Sequence, residues 1–207
     1  MTTGTLSDAR VELVRSRVLE GVAAVLARGE PLTYAGVAVA AGVPERTLYR
    51  HFPTREQLLA AVFAWANERI GFRGELPADG ASMAELVRRV FPGFDAIAPV
   101  IRELLIAPEG RLARLADKPA RQRAALALVR GEVAGLDRAS ERRLAAVLQL
   151  LGAAPTWQTL RDYWDMDGVE AAEACALAVQ LLLEGARARA KRRKGSGRRP
   201  TAGKVTP

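Results

Sequence analysis

Apolar positions recur at intervals of three and four residues along most of this chain, the period of an amphipathic helix. Val11, Val14, Val18, Val22 and Val25, with Leu19 and Leu26 beside them, predict a helix from about Ser7 to Arg28, ended by Gly29 and barred from continuing by Pro31. Leu58, Leu59, Val62 and Phe63 predict another from Thr54 to about Phe72. Met83, Leu86, Val87, Val90 and Phe91 mark a third, with Ser82-x-x-Glu85 as its capping box and Pro92 as a kink. A short helix follows from Pro99 to Ala107, then a turn at Pro108-Glu-Gly110, then a helix capped by Asp117 that reaches Val133 and stops at Gly135. Two long helices close the chain. One runs from Asp137 to about Trp164, kinked at Pro155; the other, rich in alanine, runs from Val169 to about Lys191 after a turn at Asp167-Gly168. The expectation is an all-α fold of about nine helices.

The stretch Thr33–Leu59, TYAGVAVAAGVPERTLYRHFPTREQLL, is organised differently from its neighbours. Thr33 is placed to cap a short helix, and Val37 and Ala38 face a core. Gly42, in Ala41-Gly42-Val43, tolerates positive φ and lets two helices approach. Pro44 stands where a second helix begins, and Leu48 and Phe52 form its buried stripe. Arg46, Thr47, Arg50 and His51 fall on other faces, Tyr49 lies beside the turn, and Thr54-x-x-Gln57 opens the next helix. This is a helix-turn-helix pattern, with the second helix free to enter a DNA major groove.

Over Val18 to Val62 the chain resembles the TetR family of transcriptional regulators. The resemblance rests on RVLEGVAAVLARGE, on LTYAGVAVAAGV and above all on ERTLYRHFPTREQLLAAV, and covers about a quarter of the sequence. It implies an N-terminal three-helix DNA-binding domain and a C-terminal helical bundle for ligand binding and dimerisation. Thr47, Tyr49 and His51 match family positions that touch phosphates, and Arg55 matches a frequent lysine phosphate contact. Arg10, near the start of the first helix, is a further phosphate candidate by the same likeness. Thr33 approaches a phosphate with help from its helix dipole. Glu45 and Arg46 are the base readers, Arg46 bidentate to a guanine. Many family members carry glycine where this chain has Arg46, which adds a reading group and bulk together. Arg46 and Arg50 also read as ordinary solvated charges, Tyr49 as packing, and His51 as a capping or core histidine.

Charge sharpens this picture only after it is divided. Residues 191–207 hold seven of the Lys and Arg residues and no acid, so the net +8 falls to +1 without them. Residues 1–73 carry nine Arg against seven acids. The cluster Arg46, Arg50, Arg55 is therefore a better sign of a phosphate-facing surface than the pI. With 49% apolar and 26% charged residues, the chain is globular. The single cysteine, Cys175, precludes an internal disulfide framework and fits a reducing compartment. The single histidine, His51, leaves little for metal or His-based catalysis. There is no glycine-rich phosphate loop and no paired metal ligands, so neither an enzyme nor a cofactor is expected. The opening residues lack the apolar stretch of a signal peptide. The longest charge-free run, Leu144 to Leu160, is too short and polar to span a bilayer. A cytoplasmic protein without a membrane role is expected.

The domain division is 1–73 for DNA binding, 74–190 for effector binding and dimerisation, and 191–207 for a basic disordered tail. The first six residues are likewise read as disordered. The family likeness implies a small-molecule pocket beyond the fourth helix, for which Trp65, Phe91, Phe94, Ile101, Leu126, Arg130 and Trp157 are candidates. Plain core is the alternative for each, and Glu132 or Glu103 could neutralise Arg130 instead. The last two helices look more apolar than one neighbour requires. Leu144, Leu148, Leu151, Ala174, Leu177, Ala178 and Leu181 are the expected homodimer interface, against the alternative of an internal core. The resulting expectation is a homodimeric regulator, probing a pseudo-palindromic double-stranded operator and released as a repressor by an effector. The alternative is a helical protein-interaction module with little DNA binding.

Overall fold

The computed structural model describes residues 6–196, and every regular element among them is a helix. There are eleven: α1 (Leu6–Ala27), α2 (Tyr34–Ala41), α3 (Glu45–His51), α4 (Arg55–Arg69), α5 (Gly80–Ala96), α6 (Ala98–Ile106), α7 (Pro108–Leu115), α8 (Lys118–Glu132), α9 (Arg138–Leu151), α10 (Ala154–Trp164) and α11 (Gly168–Ser196). The count exceeds the nine expected because proline acts here mainly at helix starts. Pro108 and Pro155 were expected to make a turn and a kink. Instead each lies in the first turn of its own helix, where a missing N–H costs nothing. The single long helix expected over 137–164 is thus two, parted at Gly152-Ala153. Pro92 stands inside α5, which is continuous from Gly80 to Ala96.

The N-terminal unit follows its sequence closely. Val18, Val22 and Val25 of α1 are fully buried against Val37 and Ala38 of α2, Leu48 of α3 and Leu58, Leu59 and Val62 of α4. Val11 is 44% exposed, so the first turns of α1 project beyond this core. Gly21 brings α1 onto α2: a Cβ there would stand 2.9 Å from the Cβ of Ala41. Thr33 caps α2 by accepting from the Gly36 N–H at 3.1 Å. Gly42, at φ 64°, closes the helix in the left-handed region.

In the larger part of the chain α5 lies along α11. Val87, Val90 and Phe91 meet a small-residue face of Ala171, Ala172, Cys175, Ala176 and Val179, all buried. The approach is close enough that a Cβ on Gly168 would stand 2.5 Å from the Phe91 carbonyl oxygen. Asp95, at the end of α5, gathers three elements. It accepts from the Trp157 indole at 3.0 Å, pairs with Arg161, and accepts from the Gly168 backbone N–H. The start of α5 also departs from expectation. Asp79, not Ser82, is the N-cap, and Ser82 returns the bond to the Asp79 backbone, a capping box one turn earlier than Ser82-x-x-Glu85. Asp117 makes no side-chain cap on α8, whereas Asp137 caps α9 through the Ser140 N–H.

Helix α11 runs through Ser196, past the end expected near Lys191. Arg193 reaches Asp137 at 2.6 Å, so the first part of the basic segment is helical and held to α9. The rest of the expected tail, and the first five residues of the expected disordered start, lie outside the described residues. Cys175 is buried between α5 and α11, and desolvation pushes its thiol up to about 11, which keeps it protonated and unreactive.

Two glycines in helices should respond in opposite directions. Gly168→Ala forces a methyl against the fixed backbone of Phe91 and is expected to cost about 1–3 kcal/mol. Gly131, exposed on α8 with open space around its Cβ position, should gain about 0.4–1 kcal/mol as alanine. Urea unfolding midpoints of the two variants test this; a destabilised Gly131→Ala or an unaffected Gly168→Ala would contradict the packing described.

Candidate nucleic-acid interface and internal cavity

Helix α3 is short and anchored from one side. Leu48 and Phe52 are buried, which turns Glu45, Arg46, Tyr49 and Arg50 outward to solvent. Pro44 is its N-cap and offers no side-chain bond, but its carbonyl accepts from the Thr47 N–H at 2.8 Å. Three contacts fix the helix. The Tyr34 hydroxyl donates to the Phe52 carbonyl at 2.8 Å, the Tyr34 and Tyr49 rings stack at 4.4 Å and 14°, and the Arg15 guanidinium lies 4.8 Å from the centre of the Phe52 ring. Tyr49 is thus both packed against α2 and 48% exposed. His51 is half-buried. Burial, and then the charges of Arg50 and Arg15, hold its imidazole below the usual histidine range. It is therefore neutral at pH 7 and adds an N–H donor rather than a charge. Thr47 is half-buried and Thr33 is exposed at the start of α2.

Arg55, expected as a phosphate anchor, is engaged within the chain. Its guanidinium turns inward, donating to the Leu32 carbonyl at 2.9 Å and to Glu103 of α6 at 2.7 Å, with Glu109 of α7 at 3.7 Å. The reason lies in the later chain: two carboxylates from α6 and α7 meet the first turn of α4, and a paired guanidinium has little reason to leave them. Arg55 joins the helix that follows α3 to the rest of the molecule.

Beyond that joint lies a cavity of about 570 Å³, bounded by α4 to α9 and the α9–α10 turn. Of the residues expected to line a pocket, Phe94 and Ile101 do. Phe91 and Trp157 do not, being fully buried in packing, Trp157 with its indole bonded to Asp95. Trp65 is covered by the Arg69 guanidinium at 5.0 Å. Helix α8 presents Arg121, Ala124, Ala125 and Leu128 to the cavity, one stripe at helical spacing; Leu126 and Arg130 fall off it. Arg130 is exposed and pairs with Glu141 at 3.0 Å, rather than with Glu132 or Glu103. Sequence reading missed Phe63, Asn67 and Arg114, which line the cavity, and passed over Arg121, whose place on an otherwise apolar stripe was the available signal.

The expected dimer residues divide as well. Leu177 and Leu181 are exposed on α11, and Ala174 and Ala178 are half-buried beside them. Leu148 is buried within the chain, and Leu144 and Leu151 are partly buried against the same core, because α9 turns that stripe towards α8 and the cavity. The outward apolar residues of α9 are Val147 and Leu150. No group of His, Cys, Asp and Glu suited to a metal occurs among the described residues, nor is any of their helices long and apolar enough to cross a membrane.

Among the described residues every element is a helix, and the N-terminal helix-turn-helix exposes a basic second helix, the arrangement of the DNA-binding transcription-regulator class. Residues 30–62 match the family described as bacterial regulatory proteins, tetR family. Among solved structures the fold is similar to that of the multidrug binding protein EbrR, determined in complex with imidazole. That similarity has a TM-score of 0.53 and 19% identity, over 81% of this chain and 93% of that one. No curated protein gives a significant match. Residues 30–62 thus carry the N-terminal DNA-binding region described for that family, on an all-helical fold.

The two arginines should now separate cleanly. Arg46→Ala is expected to weaken binding to a cognate site by about 1–3 kcal/mol and relax preference at one base position, without changing the unfolding midpoint. Arg55→Ala should instead lower stability by about 1 kcal/mol, through loss of its pairs with Glu103 and Glu109. Duplex titrations beside thermal melts decide it; a stable Arg55→Ala protein with uniformly weaker DNA binding would restore the phosphate-anchor role.

Proposed function

We propose that this protein is a homodimeric, sequence-specific repressor that leaves its operator when a small molecule fills the cavity. The observation that carries the reading is the placement of the cavity: α6 and α7 line it through Leu104 and Arg114, and the same two helices hold Arg55 beside the reading helix through Glu103 and Glu109. Residues 1–73 act as the DNA-binding domain, residues 74–190 bind effector and partner subunit, and the protein works in the cytoplasm beside its DNA.

In this reading the α3 helices of two subunits enter successive major grooves. Glu45 and Arg46 meet base edges, while Thr33, Thr47, Tyr49, Arg50 and His51 contact the backbone. Phosphate contacts set affinity and make it fall with salt. Dimerisation buries the outer faces of α9 and α11, with Leu177 and Leu181 over Ala174 and Ala178 and with Val147 and Leu150 in place of Leu144, Leu148 and Leu151. An effector acts by binding more tightly to the conformer with the wrong recognition-helix spacing; equal affinity for both conformers would shift nothing.

Selection of duplexes from a random pool at near-physiological salt should return a pseudo-palindrome with half-sites about one helical turn apart or somewhat more. Combining Leu177→Glu with Leu181→Glu should give a folded monomer by sedimentation and abolish that enrichment. A dimeric protein with no enriched sequence would favour the interaction-module reading. A monomeric wild type that still selects a palindrome would dismiss the proposed interface.

A further inference from the structure

We propose that the cavity takes an organic anion with an apolar body, its acid head held by Arg114, Lys118 and Arg121 where α7 meets α8. This rests on the reading of the cavity as the effector site and adds the chemistry of its ligand. Most of the wall is apolar: Phe63, Phe72, Phe94, Ile101, Leu128 and Leu148 present no charge to an occupant. The ionisable residues of the wall are unbalanced, three cations against the single carboxylate of Asp117. They are also close in sequence, at the end of α7 and in the first turn of α8, so the charge lies at one end of the cavity.

Partial burial without a carboxylate sets the two arginines apart. Of the other half-buried arginines among the described residues, Arg55, Arg102 and Arg161 each pair with a carboxylate and Arg15 lies over the Phe52 ring. Arg114 and Arg121 pair with none. Arg114 donates to the Leu104 carbonyl and Arg121 to the Arg114 carbonyl, both part-buried. Each guanidinium keeps further N–H donors beyond the one so used. A part-buried cation without a counter-ion is costly, and a ligand carboxylate would offset that cost through charge-assisted, bidentate bonds. Burial, and then the neighbouring charges of Arg111 and Arg121, hold Arg114 below the usual guanidinium range, which agrees with an uncompensated positive site. The first turn of α8, without a side-chain cap, adds the positive end of its dipole. A cationic ligand would meet the same field as repulsion. A volume of about 570 Å³ accommodates a drug-sized molecule or a medium-length acyl chain.

Three probes of one chain length and different heads test this on the full chain by titration calorimetry, below micelle-forming concentrations: decanoate, decanol and decylammonium. Decanoate should bind about ten-fold more tightly than decanol, the worth of one charge-assisted bond, with decylammonium weakest. Arg121→Gln should bring decanoate to the level of decanol and leave decanol unchanged. Lys118→Gln, exposed and in no ion pair, serves as the milder variant should Arg121→Gln fail to fold. Ala125→Trp, which fills the cavity, should abolish binding of all three. Decanol or decylammonium binding as well as decanoate, sensitive to Ala125→Trp, would overturn the anion preference and leave the effector cavity standing. A decanoate preference that survives both charge variants would overturn the assigned head site. Binding of none of the probes, or binding indifferent to Ala125→Trp, would bring down the ligand and the cavity reading together.

Discussion

The structure depends on how one misplaced charge is satisfied. Arg55 lies in the first turn of α4, where the helix dipole disfavours a cation. Glu103 from α6 and Glu109 from α7 correct the sign, and the Leu32 carbonyl takes a further N–H. Thus the segment before α2, the start of α4 and the two helices after α5 converge on one guanidinium. Helix α3 is only seven residues long, too short to hold itself. It borrows its position from Leu48 and Phe52 below, from the Tyr34 hydroxyl on the Phe52 carbonyl, and from α4 immediately after it. Whatever moves the first turn of α4 moves the reading helix with it.

The bundle beyond is assembled by close approach. Alanines on α11 let it lie against α5, and Gly168 allows the first turn of α11 to touch the Phe91 backbone. Asp95 then ties α5 to α10 and α11 with three bonds. With α11 and Trp157 of α10 fixed in this way, α8 and α9 pack on one another and leave space between them and α4 unfilled. Packing to the density of an ordinary interior would have required larger residues than Ala124, Ala125, Gly152 and Ala153 on that wall.

What was legible in the sequence was local. Thr33, Gly42, Leu48 and Phe52 act within a few residues of one another, and their spacing alone places a turn between two helices. The same holds for Asp137 as a cap and for Gly29 and Gly135, which take positive φ where a helix was expected to end. What was not legible was any partner that lies far along the chain. Nothing near Arg55 announces Glu103, forty-eight residues later, so a cation beside a recognition helix reads as a phosphate contact. Nothing near Asp95 announces Trp157 or Gly168. Leu144, Leu148 and Leu151 make a convincing stripe, but periodicity cannot say whether a stripe faces its own core or another subunit. Arg121 shares a helical stripe with Ala124, Ala125 and Leu128 and Arg130 does not, but only the structure shows Glu141 neutralising Arg130.

That distinction bears on how an occupied cavity would reach DNA under the proposed function. The Leu104 carbonyl accepts from Arg114 on the cavity side, while the neighbouring residue, Glu103, holds Arg55 on the other. Gly110 seats the start of α7 on the Leu104 backbone so closely that a Cβ would stand 2.5 Å from its carbonyl oxygen. An acid head on the spare donors of Arg114 would pull on the guanidinium that also bonds the Leu104 carbonyl. Under the proposed function, the joint that would move is α6 against α7. Such a shift separates Glu103 from Glu109, the two carboxylates that balance Arg55 at the start of α4. Coupling of this kind needs two discrete arrangements of one packed element, each preferred by a different ligand. Under the proposed function the α6–α7 corner is where such an element would lie, because adjacent residues of α6, Glu103 and Leu104, tie Arg55 and the cavity wall together.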